Sequence, residues 1–173
     1  VYNVAPYLDE CLESIVASSQ RLDEIILIND GSTDKSGEIC RDWAQKQPDL
    51  IRLIEQPNQG LSAARNNALS QASCPYILFM DSDDVVIPSS INKVRPILEE
   101  NAPDITLMDF CWWMPDQKDK QRRSPICSHT AHQLLTDRDE FCKATYNDLL
   151  LSACSRIFKR SLLLKMAPNV PHP

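Results

Sequence analysis

The feature that most constrains the fold is a run of five apolar residues, 76–80, that leads directly into the acidic segment Asp81–Asp84. A short continuous apolar run is typical of a strand that is buried on both faces of a parallel sheet. Carboxylates cannot follow such a strand into a core unless something compensates their charge. We therefore expect the strand to end at a surface or a cleft, where it presents a cluster of negative charge.

The rest of the chain alternates between strand and helix patterns. The predicted strands are 24–28, 50–54, 76–80, 104–108 and 153–158. The predicted helices are 6–19, 34–47, 61–72, 88–100, 136–147 and 161–166, and Pro96 is expected to end or kink the fourth. In the first half this spacing requires parallel β–α–β crossovers. It predicts an α/β fold with a Rossmann-like, mostly parallel sheet flanked by helices.

Two further polar residues are expected near the acidic segment. Ligands of parallel sheets bind at the carboxyl ends of the strands, and Asp30 and Asp81 both follow predicted strands, so both should face one crevice. Asp30 there can accept hydrogen bonds from a ring N–H and a ribose hydroxyl, although a strand-to-helix cap is an alternative role. Arg65 lies among small residues on a predicted helix, where it can reach a phosphate or a base, or form a structural ion pair.

The acidic segment also has the spacing of a cation site. Asp81 and Asp83 are separated only by the small residue Ser82, so a tight turn can point both carboxylates towards one ion. Hard oxygen ligands suit Mg²⁺ or Mn²⁺. Asp and Ser are also common in turns and helix caps, which is the alternative role of this cluster. Its position after a buried strand favours the metal site.

Composition limits the class of protein. A chain of 173 residues corresponds to about one domain, and a net charge of −6 argues against a nucleic-acid partner. No apolar run approaches the roughly 18 residues that a membrane-spanning helix needs. The seven cysteines show no Cys-x-x-Cys spacing, which predicts reduced thiols in a cytosolic environment. With only three glycines, the chain has no Gly-rich phosphate loop.

Several motifs together resemble family 2 glycosyltransferases, which have the GT-A fold. They are Val1-Tyr2-Asn3, Asn29-Asp30-Gly31-Ser32-Thr33-Asp34, the segment from Gly60 to Asn66, Asp81-Ser82-Asp83-Asp84 and the segment from Ala153 to Arg160. The resemblance covers most of residues 1–109 and returns near 153–164. It implies that a sugar moves, with inversion, from a nucleoside diphosphate sugar, with a UDP-sugar favoured, to an acceptor hydroxyl. It also implies a Mn²⁺ or Mg²⁺ cofactor.

The resemblance also assigns roles by position. Tyr2 and Asn3 would lie along the nucleotide, Asp30 would bind the base and Arg65 would help to hold the nucleotide. Asp81 would contact the ribose or the metal, and Asp83 would be a metal ligand. The general base of the family is a carboxylate beyond the region of Arg160, so we expect it outside this sequence. The catalytic residue is therefore unknown, and the earlier carboxylates Asp137, Asp139 and Glu140 are not assigned to that role.

Two halves of one domain are expected. Residues 1–109 would form the nucleotide-sugar-binding half without its first strand, and residues 110–173 an acceptor-side half that is incomplete at its carboxyl end. Trp112, Trp113 and the basic residues of 118–123 could line a groove for a glycan or lipid-linked acceptor, contact a second copy in a homodimer, or associate peripherally with the inner face of a membrane. Localisation is expected to be cytoplasmic and the pathway surface polysaccharide synthesis.

The same residues allow two other functions. One is a nucleotide-sugar-binding domain without catalysis. The other is a different α/β enzyme with an acidic cluster, such as an aspartate-using phosphotransferase or a receiver domain. That class requires a nucleophilic Asp with partner Lys and Thr on later strands, and it leaves the motifs at 29–32 and 63–66 unexplained.

Overall fold

Strands and helices alternate along the part of the chain that the computed structural model describes, residues 1–18, 22–108, 110–112, 122–124, 136–137, 139–140 and 153–166. The helices are α1 (Ala5–Ala17), α2 (Ser36–Lys46), α3 (Leu61–Gln71), α4 (Pro88–Asn101) and α5 (Arg160–Met166). The strands are β1 (Ile25–Asp30), β2 (Ile51–Gln56), β3 (Tyr76–Leu78), β4 (Ile105–Leu107), β5 (Phe110–Trp112), β6 (Arg122–Ser124) and β7 (Arg156–Lys159). The predicted α/β class is confirmed.

The strands form three groups. β1 and β2 are parallel, and their register runs from Ile25 opposite Ile51 to Asp30 opposite Gln56. β7 lies between β3 and β4 and is antiparallel to both, with Phe158 opposite Ile77 on one side and Ile105 on the other. β5 and β6 form a separate antiparallel pair. The alternation of helices and strands did not predict the antiparallel direction of β7, because side-chain periodicity carries no information about strand direction.

The core lies between β1–β2 and the helices α1 and α2. Its buried members are Leu8, Leu12, Ile25, Leu27, Cys40 and Ile51. Leu8 and Leu12 stand one helical turn apart on α1, and Ile25 and Leu27 stand two residues apart on β1, so each pair projects from one face of its element. Helix α3 contacts β1 as well. The carboxyl ends of β1 and β3 are thereby held near the amino ends of α2 and α3.

Some element boundaries differ from the sequence prediction. β1 continues to Asp30, so this carboxylate belongs to the strand and is only 4% exposed. β3 ends at Leu78, and all five residues 76–80 are half-buried, although their apolar run predicted burial on both faces. Helix α4 continues through Pro96 to Asn101. Most of the predicted helix 136–147, and Trp113, Lys118 and Lys120, lie outside the described residues.

Two further sequence expectations can be compared with the described residues. Cys11, Cys40, Cys74 and Cys154 form no disulfide with one another, in agreement with the prediction of reduced thiols. Cys11 and Cys40 are fully buried and act as small core residues. None of the helices in the described ranges has the length and apolar character needed to cross a bilayer.

Leu12→Ala should test the assignment of the core. Leu12 is 1% exposed, so truncation removes buried methyl groups and leaves a cavity. We expect the free energy of unfolding to fall by about 2–5 kcal/mol. The measurement is urea unfolding followed by circular dichroism, with Leu164→Ala on α5 as a matched control, because Leu164 is 39% exposed. Equal losses in the two variants would contradict this core.

Candidate functional site

Asp30 is the buried centre of the site. Its carboxylate Oδ1 accepts hydrogen bonds from Gln56 Nε2 at 2.7 Å and from the Gln59 amide at 3.0 Å. Its Oδ2 accepts one from the Gly60 amide at 2.9 Å. Asn67 Nδ2 in turn donates to Gln56 Oε1 at 2.6 Å. The end of β1 is therefore fastened to the end of β2, to the loop 57–60 and to α3 by one polar network.

The ionisation of Asp30 follows from this network. Burial raises the pKa of the carboxyl group, but the hydrogen bonds from Gln59, Gln56 and Gly60 outweigh it and bring the pKa below its ordinary value. Asp30 is therefore charged at neutral pH. A carboxylate offers about four acceptor positions, and the protein occupies three of them. One position, on Oδ2, remains for a donor outside the protein.

Gly31 allows the loop 57–60 to come close. Its φ is +70°, and a Cβ atom at this position would lie 2.7 Å from the Asn58 backbone nitrogen. Only glycine meets both conditions without strain. Gly60, at the start of α3, also has a positive φ, of +87°, but a Cβ there would meet nothing within 4 Å. The two glycines thus serve different needs, a close approach at Gly31 and a backbone turn at Gly60.

Asn3 holds the loop after β1 in place. Its side-chain Oδ1 accepts hydrogen bonds from the Thr33 amide at 2.8 Å, from the Thr33 hydroxyl at 3.3 Å and from the Asp34 amide at 3.3 Å. The Asn3 amide donates to Ser32 Oγ at 3.3 Å. Asn3 has a φ of +51°, a conformation that asparagine tolerates better than most residues. These contacts account for the Val1-Tyr2-Asn3 and 29–34 motifs occurring together.

The acidic turn, residues Asp81–Asp84, is anchored to helix α1. The Asp84 amide donates to the Asp81 carbonyl at 3.1 Å, which closes the turn. The Cys11 thiol also donates to the Asp81 carbonyl, at 3.7 Å, and the Val86 amide donates to Ser14 Oγ at 2.9 Å. Burial and the nearby charges of Asp84 and Asp83 raise the pKa of Cys11 to about 12, so this thiol keeps its proton. Nothing in the sequence pattern singled out Cys11 or Ser14 for this role.

Arg65 is paired with the acidic turn. Its guanidinium donates to Asp81 Oδ1 at 2.8 Å and to Cys154 Sγ at 3.6 Å, and it lies over the Phe79 ring with 5.7 Å to the ring centre. Because Arg65 and Asp81 are 28% and 40% exposed, the ion pair contributes about 1 kcal/mol or less to stability. The sequence allowed either a ligand contact or a structural ion pair for Arg65, and the structure shows the ion pair.

The acidic turn also offers a group of possible cation ligands. One ligand atom from each of Asp81, Asp84 and Cys154 lies within 4.8 Å of the others. Burial, then the charges of Asp83 and Asp81, raise the pKa of Asp84, which is the repulsion that a bound cation would relieve. Two carboxylates suit Mg²⁺ or Mn²⁺, whereas the thiol is a softer ligand. Asp83 is outside this group. The sequence did not point to Asp84 or Cys154 as ligands.

A polar pocket of about 360 Å³ joins these elements. Its lining residues are Val1, Tyr2, Asp30, Asn58, Gly60, Leu61, Ala64, Asp81, Ser82 and Asp83. It therefore brings together four of the residues proposed from the sequence: Tyr2, Asp30, Asp81 and Asp83. Arg65 reaches the pocket through its ion pair with Asp81, and Asn3 contacts the loop behind it. The expectation that Asp30 and Asp81 face one crevice is confirmed by this pocket.

Asp137, which the sequence left unassigned, has a local structural role. Its Oδ1 accepts hydrogen bonds from the Asp139 and Glu140 amides at 2.9 and 3.0 Å. All three residues are exposed, and none of them lines the polar pocket. Within the described residues, the carboxylates of the pocket are Asp30, Asp81 and Asp83.

The class of protein is defined by two features. One is the α/β fold of the GT-A type, and the other is the polar pocket between an aspartate at a strand end and an acidic turn. The sequence profile of Glycosyl transferase family 2 matches residues 1–166. The chain belongs to this family. It is 42% identical over 166 residues to the putative glycosyltransferase EpsH of Bacillus subtilis, and 41% identical over 110 residues to the glycosyltransferase GlyA of Streptococcus pneumoniae.

Solved structures agree on the fold. S. aureus TarS 1–349 in complex with UDP-GlcNAc superposes with a TM-score of 0.72 at 23% identity, covering 96% of this chain and 45% of that one. The mannosyltransferase PcManGT from Pyrobaculum calidifontis, in complex with GDP-Man and Mn²⁺, gives 0.63 at 20% identity, covering 96% and 44%. The matched parts are 94% of this chain with 46% of EpsH, and 64% of this chain with 16% of GlyA. The chain spans less than half the length of these relatives.

Replacing the two site glycines should separate close approach from backbone strain. We expect Gly60→Ala to lower the free energy of unfolding by about 1–3 kcal/mol, because its φ of +87° and ψ of +166° lie in a region that is essentially restricted to glycine. Gly31→Ala also places a Cβ at a positive φ, of +70°, and adds the contact with the Asn58 nitrogen at 2.7 Å, so we expect it to lose more. Urea unfolding of both variants measures the difference. A smaller loss in Gly31→Ala than in Gly60→Ala would contradict the close approach of the two loops.

Asp30→Asn should remove a pH-dependent part of the stability. The asparagine NH₂ group would face a backbone or side-chain N–H donor, so we expect a loss of about 1–3 kcal/mol at pH 7. The pKa of Asp30 is lowered by folding, so its contribution is complete above the unfolded value of about 3.9. It is lost as the pH falls through the lower folded-state pKa.

The measurement is urea unfolding of the wild type and the Asp30→Asn variant between pH 3 and 7. The gap between the two should be constant near neutrality and should narrow in acid. Asp49→Asn is the control, since Asp49 is an exposed carboxylate between α2 and β2. A gap that widens as the pH falls would show that the hydrogen bonds to Asp30 do not favour its charged form.

Proposed function

We propose that this chain binds a nucleoside diphosphate sugar, with a UDP-sugar favoured, and transfers the sugar with inversion to an acceptor hydroxyl. The observation that carries the proposal is the polar pocket, which is lined both by Asp30 and by residues 81–83 of the acidic turn. Asp30 suits a base and a ribose, and the acidic turn suits a charged diphosphate. Membership of the glycosyltransferase family and the nucleotide sugars in the titles of TarS and PcManGT support the same ligand class.

Asp30 is suited to recognise a nucleotide base. Its carboxylate is charged and fixed by three hydrogen bonds, so it loses little conformational freedom when a ligand binds. Its fourth acceptor position, on Oδ2, fits a ring N–H, such as the N3–H of uracil. Tyr2 lines the same pocket and is 48% exposed, and its ring offers an apolar surface for the base or the ribose.

The acidic turn is suited to the diphosphate end through a cation. When bound, Mg²⁺ or Mn²⁺ would neutralise the negative charge that develops on the leaving diphosphate. Asp81, Asp83 and Asp84 are the residues that would hold it, with Cys154 within reach of the same position. Arg65 keeps Asp81 oriented by their ion pair, and its remaining N–H groups can donate to phosphate oxygens.

The transfer needs one more group than the described residues supply. The acceptor oxygen forms a bond to the anomeric carbon on the face opposite the diphosphate, and the bond from that carbon to the diphosphate oxygen breaks. The acceptor hydroxyl must give its proton to a base. The pocket carboxylates of the described residues are all committed to the base end or the diphosphate end. Because the family resemblance puts the general base beyond the region of Arg160, we propose that a carboxylate from that part of the protein accepts the proton.

The wider setting is proposed from the relatives. Among them is the minor teichoic acid biosynthesis protein GgaB of Bacillus subtilis, 39% identical over 110 residues, which suits a role in surface glycan synthesis. The division into a nucleotide-sugar-binding half, 1–109, and an acceptor-side half, 110–173, stays a prediction. So do the cytoplasmic location, the glycan or lipid-linked acceptor, membrane association and the homodimer.

Asp83→Ala should abolish metal-dependent binding of UDP while leaving the fold intact. The reason is that Asp83 lines the pocket and is the first metal ligand proposed from the sequence. Calorimetric titration of UDP with and without Mn²⁺ should show that Mn²⁺ strengthens binding by roughly tenfold or more in the wild type only. Asp84→Asn is the matched comparison, because Asp84 belongs to the ligand group that the structure defines.

The outcomes of that titration are distinct. If Mn²⁺ still strengthens UDP binding in Asp83→Ala, Asp83 is not a metal ligand. If Mn²⁺ loses this effect in Asp84→Asn alone, the cation is held by Asp84 instead. Parallel titration of UDP, GDP and dTDP identifies the base that Asp30 accepts. If nucleotide sugars bind to the full-length protein but are never hydrolysed or transferred, the protein is a nucleotide-sugar-binding domain, which is the alternative function.

A further inference from the structure

Two side-chain amides support Asp30 without lining the polar pocket. Gln56 Nε2 donates to Asp30 Oδ1 at 2.7 Å, and Asn67 Nδ2 donates to Gln56 Oε1 at 2.6 Å. Gln56 and Asn67 are half-buried, and neither is a lining residue of the pocket. These two residues are named the amide relay below. The amide relay connects the middle of α3 to the carboxylate that faces the pocket.

The backbone brings Gln56 next to Asp30. Gln56 is the last residue of β2, and in the parallel register it stands opposite Asp30, the last residue of β1. Asn67 belongs to α3 (Leu61–Gln71), the helix that contacts β1. The amide relay therefore joins β1, β2 and α3 at the point where the polar pocket begins.

Gln56 differs in kind from the other two donors to Asp30. The Gln59 and Gly60 donors are backbone N–H groups, which can only donate. A side-chain amide has a donor end and an acceptor end, so a half-turn of its terminal group would point an oxygen at the carboxylate. Gln56 therefore supports Asp30 in only one of its two orientations.

Asn67 favours the orientation that supports Asp30. Its NH₂ group donates to the Gln56 oxygen, and this hydrogen bond would be lost if the Gln56 amide turned round. Asp30 and Asn67 thus hold opposite ends of one amide. Consecutive hydrogen bonds of this kind also polarise one another, so the bond from Asn67 strengthens the bond from Gln56 to the carboxylate.

We propose that Gln56 and Asn67 are positioning residues for recognition of the nucleotide base, and that they act by orienting the Asp30 carboxylate. Gln56 and the Gln59 amide hold Oδ1, which fixes the carboxylate plane and so the direction of the remaining acceptor position on Oδ2. A carboxylate that is free to rotate would have to be ordered when a ring N–H binds. The role in base recognition rests on the proposed function, whereas the orientation of Asp30 does not.

Asn67→Asp should reverse the amide relay. It places a carboxylate next to the Gln56 oxygen, where Asn67 now donates. Asp30 keeps two backbone donors, so the Gln56 NH₂ group should turn towards residue 67 and leave its oxygen facing Asp30. Asn67→Ala removes the donor but offers nothing that attracts this NH₂ group. Asn67→Asp should therefore be the more harmful change, although it has nearly the shape of asparagine.

The first measurement is the pKa of Asp30, from the ¹³C shift of its carboxyl carbon without nucleotide. We expect Gln56→Met and Asn67→Asp each to raise it by about one pH unit, because each removes a donor to the charged form. Methionine keeps the unbranched shape of glutamine and has no N–H. The other titratable groups that line the pocket are the same in these variants: the Val1 amino group, Tyr2, Asp81 and Asp83.

The second measurement is a double-mutant cycle for UDP binding, by calorimetry at a fixed concentration of Mn²⁺. We expect Asn67→Asp to weaken binding by roughly tenfold when Gln56 is present. In the Gln56→Met background it should weaken binding by about twofold or less, because the residue through which Asn67 acts is gone. Gln71→Glu is the charge control, since it adds a carboxylate to an exposed position of the same helix.

The possible results separate the amide relay from other effects. Equal losses of UDP affinity in the two backgrounds would show that the added charge acts directly, and would overturn the proposal. A larger loss in Asn67→Ala than in Asn67→Asp would assign Asn67 to packing alone and overturn it as well. An unchanged pKa of Asp30 in Asn67→Asp has the same consequence. If the wild type binds no UDP, the proposed function fails, whereas the carboxyl titration still decides whether the amide relay orients Asp30.

Discussion

The buried carboxylate of Asp30 is the interaction on which the rest of the site depends. Removing a charge from water is costly, and here three N–H donors offset the cost. Two of the donors are backbone amides of the loop 57–60, so the charge fixes the loop that begins α3. The close approach at Gly31 follows from the same geometry. Helix α3 also carries Arg65, so this helix links the polar network of Asp30 to the acidic turn.

The acidic turn shows the opposite balance of charge. At Asp30 the protein supplies nearly all of the donors, whereas the turn 81–84 carries three carboxylates, of which Asp81 is paired with Arg65. Burial, and then the charges of Asp83 and Asp81, raise the pKa of Asp84. The turn is held in this unfavourable state by α1, through Cys11 and Ser14. Under the proposed function, a bound cation would relieve this repulsion while α1 holds the backbone of the turn.

The sequence predicted the elements that depend on local pattern. Periodicity predicted strand β1 and helices α2 and α3. The geometry of parallel sheets predicted that Asp30 and Asp81 face one crevice. The contacts that these residues make within the site could not be predicted in the same way. Gly60, which donates to Asp30, is 30 residues away, and Cys154 is 89 residues from Arg65. No spacing rule connects such pairs. Only the tertiary structure shows that Asp30 holds the loop 57–60 and that Cys154 lies beside Arg65.

The half-burial of residues 76–80 shows how a failed prediction can still be informative. Five consecutive apolar residues predicted a strand buried on both faces of a sheet, because side chains on both faces are apolar. The structure shows that β7 covers one edge of β3, while residues 76–80 line an apolar cavity of about 560 Å³ together with residues 25–28 of β1. The difference between the predicted and the observed burial can therefore be placed in the fold. It lies at the cavity that residues 76–80 share with residues 25–28 of β1.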